Sequence, residues 1–137
     1  MAKTEIPRNA ITLVSPDREF MATAQTAFSS SKTIELVSVD SAVTEVTGSV
    51  VTDATGVVVV DLDDANLETL EALQRLKRRC GEVVPIVAVL RTCEPSVMRI
   101  LVQMQIADFL MKPVSTADLV RACSRALRGP ASLDNDE

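Results

Sequence analysis

The chain of 137 residues contains no histidine, no tryptophan and no tyrosine. The absence of histidine excludes a Ser-His-Asp triad, a histidine-ligated zinc site and a phosphohistidine acceptor. Only four glycines are present, so no glycine-rich loop is available to cradle phosphate groups. A flavin-binding enzyme is also disfavoured, because the chain has no Trp or Tyr to stack on the ring.

The cysteine pattern and the net charge limit the class of protein further. Cys80, Cys93 and Cys123 are an odd number of cysteines without a CxxC pair, which is typical of free thiols in a reducing cytosol. The net charge of −5 argues against nucleic acid, which favours a basic face. No apolar run reaches the roughly 20 residues of a membrane span, and the first residues lack the apolar stretch of a signal peptide. We therefore expect a cytoplasmic protein without nucleic-acid or membrane partners.

The most informative segment is 57–60, four valines that run directly into the acids Asp61, Asp63 and Asp64. Four β-branched residues in succession indicate a strand that is buried on both faces. The acids follow where this strand emerges at its carboxyl end, and ligands of open α/β sheets bind at that edge. Asp61 is therefore the first candidate for a functional side chain. The alternative is a polar strand end that helps to begin the next helix.

Apolar periodicity predicts five strands that alternate with five helices, which is the pattern of a parallel sheet with helices on both faces. The strands are expected at 10–14, 34–39, 56–61, 85–90 and 108–111, and the helices after Asp17, after Ser41, over 67–80, over 95–104 and after Ser115. The second helix, which fades near Gly48, is rich in Thr and Val, two residues of low helix propensity.

The domain organisation follows from the same pattern. Residues 1–8 are interpreted as an N-terminal extension and 9–128 as a single domain. Residues 129–137 are polar and are interpreted as a disordered tail or the start of a linker.

Three anchors, in order along the chain, resemble a known family. They are the strand-ending Asp61, the strand led by Pro85, and the segment Asp-Phe-Leu-Met-Lys-Pro at 108–113, which is the most specific. Over residues 9–128 the chain resembles the receiver domains of bacterial response regulators, the chemotaxis-type (CheY-like) fold. The resemblance implies a doubly wound, three-layer α/β/α sandwich with five parallel strands in the order 2-1-3-4-5.

In that family the aspartate that ends the third strand accepts a phosphoryl group from a histidine kinase or a phosphotransfer protein. The resemblance gives Asp61 this role of phospho-acceptor, and it makes Lys112 the lysine that contacts the phosphoryl group or pairs with the acceptor. It implies a regulatory domain rather than an enzyme, with at most self-phosphorylation from a phosphodonor and slow autodephosphorylation. Pro113, a position that is often cis in the family, could aim Lys112 at the site.

The metal positions depart from the family. Its members end the first strand with two acids that bind magnesium, whereas this chain has Ser15 and Pro16 there. A Mg²⁺ ion would have to rely on Asp17, Asp61 and Asp63, although it prefers near-octahedral oxygen ligation. We therefore expect weak or absent magnesium binding and slow or absent phosphorylation.

The switch positions also depart from the family. Leu90 stands where a Ser or Thr normally bonds the phosphoryl group, and Arg91 replaces a small residue. Thr92 lies two residues further on and would need a bulge to substitute, and Phe109 matches the family's aromatic position. Thr92 and Phe109 are thus the switch candidates, although Phe109 is explained more simply as a strand residue packed on the fourth helix.

The fourth predicted helix carries more apolar residues than one buried stripe requires. We expect the surplus to form a partner face, and a homodimer, with the fifth strand and the fifth helix. The candidate residues of this face are Met98, Leu101, Val102 and Phe109. The alternative is that this helix lies deeper in the monomer than usual.

Two functions are consistent with these residues. The first is a receiver-like regulatory domain of a two-component phosphorelay, which signals through the face of the fourth helix, fifth strand and fifth helix. The second is a pseudo-receiver that takes no phosphate and acts in docking or dimerisation. Such domains resemble the N-terminal domains of pilus-assembly and localisation proteins related to the ParA and MinD ATPases. Magnesium-dependent phosphorylation of Asp61 distinguishes the two.

Overall fold

A computed structural model describes residues 9–29, 31, 34–46, 51–52, 54–81, 83–92 and 94–128. The proposed N-terminal extension and C-terminal tail lie outside these residues. The described elements are the strands β1 (Ala10–Ser15), β2 (Glu35–Asp40), β3 (Thr55–Asp64), β4 (Ile86–Thr92) and β5 (Asp108–Met111), and the helices α1 (Arg18–Phe28), α2 (Leu67–Cys80), α3 (Pro95–Gln103) and α4 (Thr116–Arg128).

The five strands form one parallel sheet in the order β2-β1-β3-β4-β5, which confirms the predicted topology. The strand β3 is central, and side chains along it alternate between the two faces. Val57 and Val59 pack on one side, whereas Val58 and Val60 pack on the other. All four are at most 1% exposed, as four successive β-branched residues predict for a strand covered on both faces.

The core therefore consists of two layers separated by the sheet. On one side α1 and α4 pack through Phe20, Ala24, Leu119 and Cys123. On the other side α2 and α3 pack through Leu70, Leu73, Leu76, Val97 and Leu101. The predicted three-layer α/β/α sandwich is thus confirmed, and none of the described helices is long and apolar enough to cross a bilayer.

Two of the three cysteines lie in these layers. Cys80 and Cys123 are buried free thiols, while Cys93 lies outside the described residues. Burial raises the pKa of Cys80 to about 11 and that of Cys123 to about 12, which keeps both thiols protonated and unreactive at neutral pH. Both are core residues.

The helices begin and end at residues that satisfy free backbone groups. The carboxylate of Asp17 accepts hydrogen bonds from the first turn of α1. Asn66 and Thr69 form a reciprocal capping box at the start of α2. Gly81 ends α2 with φ 64°, a left-handed conformation that glycine adopts without strain. Pro95 occupies the first turn of α3.

The prediction of a second helix after Ser41 was wrong for the described residues. Only a 3₁₀ turn, Val43–Glu45, is present, and Val46 has already returned to extended backbone. Residues 47–50, including Gly48, lie outside the described part of the chain. Thr and Val favour extended backbone over helix, so a segment this short does not overcome the cost of nucleating one. The side chain of Val43 nevertheless covers the core.

The strands β3 and β4 continue beyond their predicted ends at Asp61 and Leu90. Their pairing extends to Asp64 and Thr92, with register shifts at Asp63 and Asp64. Through these irregularities, Asp63 and Asp64 pair with the end of β4. The apolar pattern stops at the core boundary and so does not predict this polar extension.

The helix α3 divides its apolar residues between the core and the surface. Val97 and Leu101 are buried, whereas Val102 is 58% exposed and Met98 is half-buried. The assignment of Leu101 to the partner face was therefore wrong, because its side chain points inward against β4 and the α2 layer. The helix therefore contributes to the core and still leaves apolar surface, while the partner face and the homodimer stay predictions.

Leu101 and Val102 provide a matched test of this division. Truncation of buried Leu101 to Ala should lower the free energy of unfolding by about 2 to 5 kcal/mol, because it removes core contacts and leaves a cavity. The change Val102→Ala, one residue along the same helix, should alter it by about 0.5 kcal/mol or less. Urea unfolding followed by far-UV circular dichroism measures both. Equal losses would contradict the described burial.

Candidate functional site at the carboxyl edge of the sheet

The candidate site lies where β1, β3 and β5 end at the same edge of the sheet. Ser15 ends β1, Asp61 lies three residues before the end of β3, and Lys112 directly follows β5, while the loop after β1 adds Asp17. The backbone N–H of Lys112 donates to the Leu90 carbonyl, which fixes the end of β5 against β4. A cleft of about 470 Å³ opens over these residues.

The carboxylate of Asp61 is buried and fully engaged within the domain. Its side chain is 1% exposed. Oδ2 accepts from the Ser15 hydroxyl at 2.7 Å and from Lys112 Nζ at 2.8 Å, and Oδ1 accepts from the Asp63 backbone N–H at 3.0 Å. The Ser15 oxygen in turn accepts from the Asp17 N–H, which leaves its own proton for Asp61. A carboxylate this deep requires such partners, because a buried charge without them is strongly destabilising.

Lys112 is the central cation of the site. Its Nζ lies 2.7 Å from Asp17 Oδ2, 2.8 Å from Asp61 Oδ2 and 3.5 Å from Asp63 Oδ1. The predicted contact between Lys112 and the strand-ending acid is therefore present, and two further acids share the same ammonium. The Lys112–Pro113 peptide bond is cis. Burial disfavours the charge on Lys112, yet the hydrogen bonds to Asp17 and Asp61 raise its pKa above the ordinary value.

Asp17 serves two elements at once. Its Oδ1 caps α1 by accepting from the N–H groups of Glu19 and Phe20, and its Oδ2 accepts from Lys112. The hydrogen bond from Lys112, aided by the bonds from the α1 backbone, holds the pKa of Asp17 below its usual range. Asp17 thus joins the start of α1 to the end of β5.

Asp63 connects this cluster to the end of β4. Its φ of 57° is left-handed, a conformation that Asp tolerates better than most residues. Its Oδ1 accepts from Arg91 Nε at 2.9 Å, in a pair that is about half exposed. Arg91, which replaces a small residue of the family pattern, therefore acts as a second cation at the mouth of the cleft.

The predicted switch residues lie apart from Asp61. The Thr92 hydroxyl donates to Asp64 Oδ1 at 3.1 Å, at the far end of the strand extension. The side chain of Leu90 is fully buried in the core and has no polar group. Phe109 is partly buried and packs against the layer that contains α3, as the simpler interpretation of a strand residue suggested.

The described residues do not fit a magnesium site in this arrangement. Asp17, Asp61 and Asp63 are the predicted ligands, and all three face the Lys112 ammonium. No group of three His, Cys, Asp or Glu side chains among the described residues is arranged to hold a metal ion. Magnesium requires oxygen ligands at about 2.0 to 2.1 Å around a common centre, and here that centre is a protonated amine.

Two contributors to the site were not recognised from the sequence. Ser15 counted only as a missing metal ligand, although its hydroxyl bonds Asp61 directly. Arg91 counted only as an unusual replacement, although it pairs with Asp63. Both lie at or next to a strand end, Ser15 beside Asp61 and Arg91 beside Asp63, and this position was the only signal that could have identified them.

Comparison with known proteins identifies the fold. No protein-family model matches the chain, and no curated protein matches it. Solved structures do match. The response regulator receiver domain protein (CheY-like) from Methanospirillum hungatei has a TM-score of 0.74 at 14% identity, over 88% of this chain and 94% of that one. The pilus assembly protein CpaE from Caulobacter crescentus has a TM-score of 0.70 at 19% identity, over 88% and 95%.

The chain has the receiver-domain fold. A signal receiver domain from Clostridium thermocellum is similar to the same extent, with a TM-score of 0.71 at 15% identity over 88% of this chain and 98% of that one. Within this fold, Asp61 lies in the last part of the central strand β3, and Lys112 directly follows β5. Ser15 and Arg91 complete the contacts of the acids in this chain.

The shared ion pairs predict how stability depends on pH. The lowered pKa of Asp17 means that its contribution is complete above the ordinary carboxyl pKa of about 3.9 and is lost as the pH falls through the lower folded-state value. The raised pKa of Lys112 means that its contribution is complete below about 10.4 and is lost only at higher pH. Both therefore stabilise the domain fully near neutral pH.

The change Asp17→Asn should remove the acidic part of this dependence. Between about pH 5 and pH 2.5 the free energy of unfolding should fall less steeply in the variant than in the unmodified chain. The control Asp118→Asn, which alters an exposed pair with Arg121, should keep the original slope. Urea unfolding at a series of pH values measures the three slopes. Equal slopes for Asp17→Asn and the unmodified chain would show that the Lys112 pair contributes nothing.

Proposed function

We propose that this chain is a regulatory, non-enzymatic domain of receiver fold that acts through protein contacts while Asp61 stays unphosphorylated. The observation that carries the proposal is the closed set of bonds on Asp61. Ser15, Lys112 and the Asp63 N–H together occupy both carboxylate oxygens. The pseudo-receiver is thus favoured over the phosphorelay receiver.

Phosphoryl transfer to a carboxylate requires an oxygen free to attack and cations to offset the charge of the transferred group. Here Oδ2 of Asp61 accepts hydrogen bonds from Ser15 and Lys112, and the Asp61 side chain is buried. The nearest hydroxyl of β4 belongs to Thr92 and is turned to Asp64. The remaining cation near Asp61, Arg91, is paired with Asp63. The site would have to open before it could take a phosphoryl group.

The phosphorelay function remains the second candidate on one observation. Asp61 ends the central strand and Lys112 contacts it at 2.8 Å, which is the pairing that the family resemblance implies for a phospho-acceptor and its lysine. A histidine kinase or a phosphotransfer protein would then be the donor.

The similarity to a pilus assembly protein supports a more specific role. We propose that the domain serves as a docking module of the kind joined to ParA- or MinD-like ATPases in pilus assembly, in the cytoplasm. In that setting a receiver fold with a self-contained charge cluster needs no phosphate to keep its surface in one conformation.

The surface proposed for docking is the α3/β5 face, formed by Met98 and Val102 of α3 with Phe109 and Met111 of β5. Met98 and Val102 lie one turn apart and therefore share a flank of α3. Phe109 and Met111 lie two residues apart on β5 and share the sheet face that α3 covers. Val102 is 58% exposed and Met111 is 45% exposed, at the open edge of the sheet. We propose that this face pairs with a second copy of the chain.

Acetyl phosphate tests the unphosphorylated state. With millimolar Mg²⁺ and this donor, the chain should show no added phosphoryl group by intact mass, because both oxygens of Asp61 accept hydrogen bonds and its side chain is buried. A conventional receiver domain in the same mixture verifies that the donor is active. Labelling that appears in the unmodified chain and is abolished by Asp61→Asn would establish the phosphorelay function instead.

Charge placed on the α3/β5 face tests the proposed pairing. The change Val102→Arg should shift a dimer towards monomer, because an uncompensated charge would be buried at the contact. The matched change Val83→Arg introduces the same charge at a valine that is 64% exposed outside this face, and should leave the mass unchanged. Sedimentation equilibrium measures both. A monomeric unmodified chain, or equal effects of the two changes, would rule out this face as the dimer contact.

A further inference from the structure

We infer that Lys112 is the built-in cation of this site and excludes divalent metal ions from it. The ammonium stands where the three acids converge, with Asp17, Asp61 and Asp63 oxygens at 2.7, 2.8 and 3.5 Å. The inference concerns metal binding in the absence of any phosphodonor, so it stands or falls separately from the proposed function.

The hydrogen-bonding capacity of the Lys112 ammonium is fully used. An ammonium group has three N–H donors, and three carboxylate oxygens accept from it here. The Phe20 ring lies 5.8 Å from Nζ and covers a further side with its π face. The Lys112 side chain is only 11% exposed, so the charge is held inside the domain. No rearrangement of the acids is needed to neutralise the lysine.

The three acids also accept hydrogen bonds from groups other than Lys112. The second oxygen of Asp17 caps α1, and the second oxygen of Asp61 accepts from the Asp63 N–H. The Asp63 oxygen that faces Lys112 is the one that accepts from Arg91. A Mg²⁺ ion would have to displace the ammonium and break these bonds, or bind within a few ångströms of a positive charge.

Ser15 limits the negative charge of the site. It stands at a position where the family places a metal-binding acid, and it is a neutral donor to Asp61. Three carboxylates then face two cations, Lys112 and Arg91, which leaves a net charge of −1. A divalent ion added to this set would change the net charge to +1 beside the buried Asp61 and Lys112.

Removal of the lysine should therefore create a metal site. Mn²⁺ is a suitable probe, because the electron paramagnetic resonance of the free ion reports binding and the chain has no Trp or Tyr for fluorescence. The unmodified chain should show no binding below about 1 mM Mn²⁺, which is the range of weak protein sites for divalent ions. The change Lys112→Met should strengthen binding at least tenfold, and the added change Asp61→Asn should abolish the gain.

Two controls make the result decisive. Lys77→Met removes the same charge from a lysine of α2 whose Nζ donates to the Gly81 carbonyl, and it should bind no more Mn²⁺ than the unmodified chain. Lys112→Gln keeps a donor beside Asp61 and serves if Lys112→Met fails to fold, with a gain in the same direction expected. The inference is overturned if the unmodified chain binds Mn²⁺ below 1 mM and loses it in Asp61→Asn, or if neither Lys112 variant gains affinity.

Discussion

The buried carboxylate of Asp61 sets the conditions for everything around it. The strand that delivers it is covered on both faces, so the charge arrives at an edge where little water reaches it. A charge in that position must be paired and hydrogen-bonded or the fold loses several kcal/mol. The neighbouring strand ends supply those partners, and the site is therefore as much a structural requirement of the central strand as a functional feature.

The partners are joined to one another as well as to Asp61. Lys112 bonds Asp17, Asp17 caps α1, and Asp63 connects the group to Arg91 at the end of β4. Charged contacts thereby join the carboxyl ends of β1, β3, β4 and β5 to one another. This set of contacts is consistent with the proposed docking role.

The packing of the core also determines which apolar residues are exposed at the α3/β5 face. The sheet needs only one stripe of α3, through Val97 and Leu101, and the remaining apolar residues of that helix are left towards solvent. Because β5 is an edge strand, this apolar surface continues onto the end of the sheet. The domain thus has a charge cluster at the carboxyl edge of the sheet and an exposed apolar surface at the α3/β5 face.

The sequence by itself determined the fold, because the valines of β3, the apolar stripes of the helices and the capping residues act locally and repeat with the period of each element. It also identified Asp61 and Lys112, although largely through a resemblance. It failed at the second helix, where the low helix propensity of Thr and Val leaves only a 3₁₀ turn. It also failed where tertiary packing decides, since Leu101 lies in the core and Thr92 bonds Asp64. Only the tertiary structure showed that Ser15 and Arg91 complete the site, since strand pairing places side chains 46 and 28 residues apart in hydrogen-bond contact.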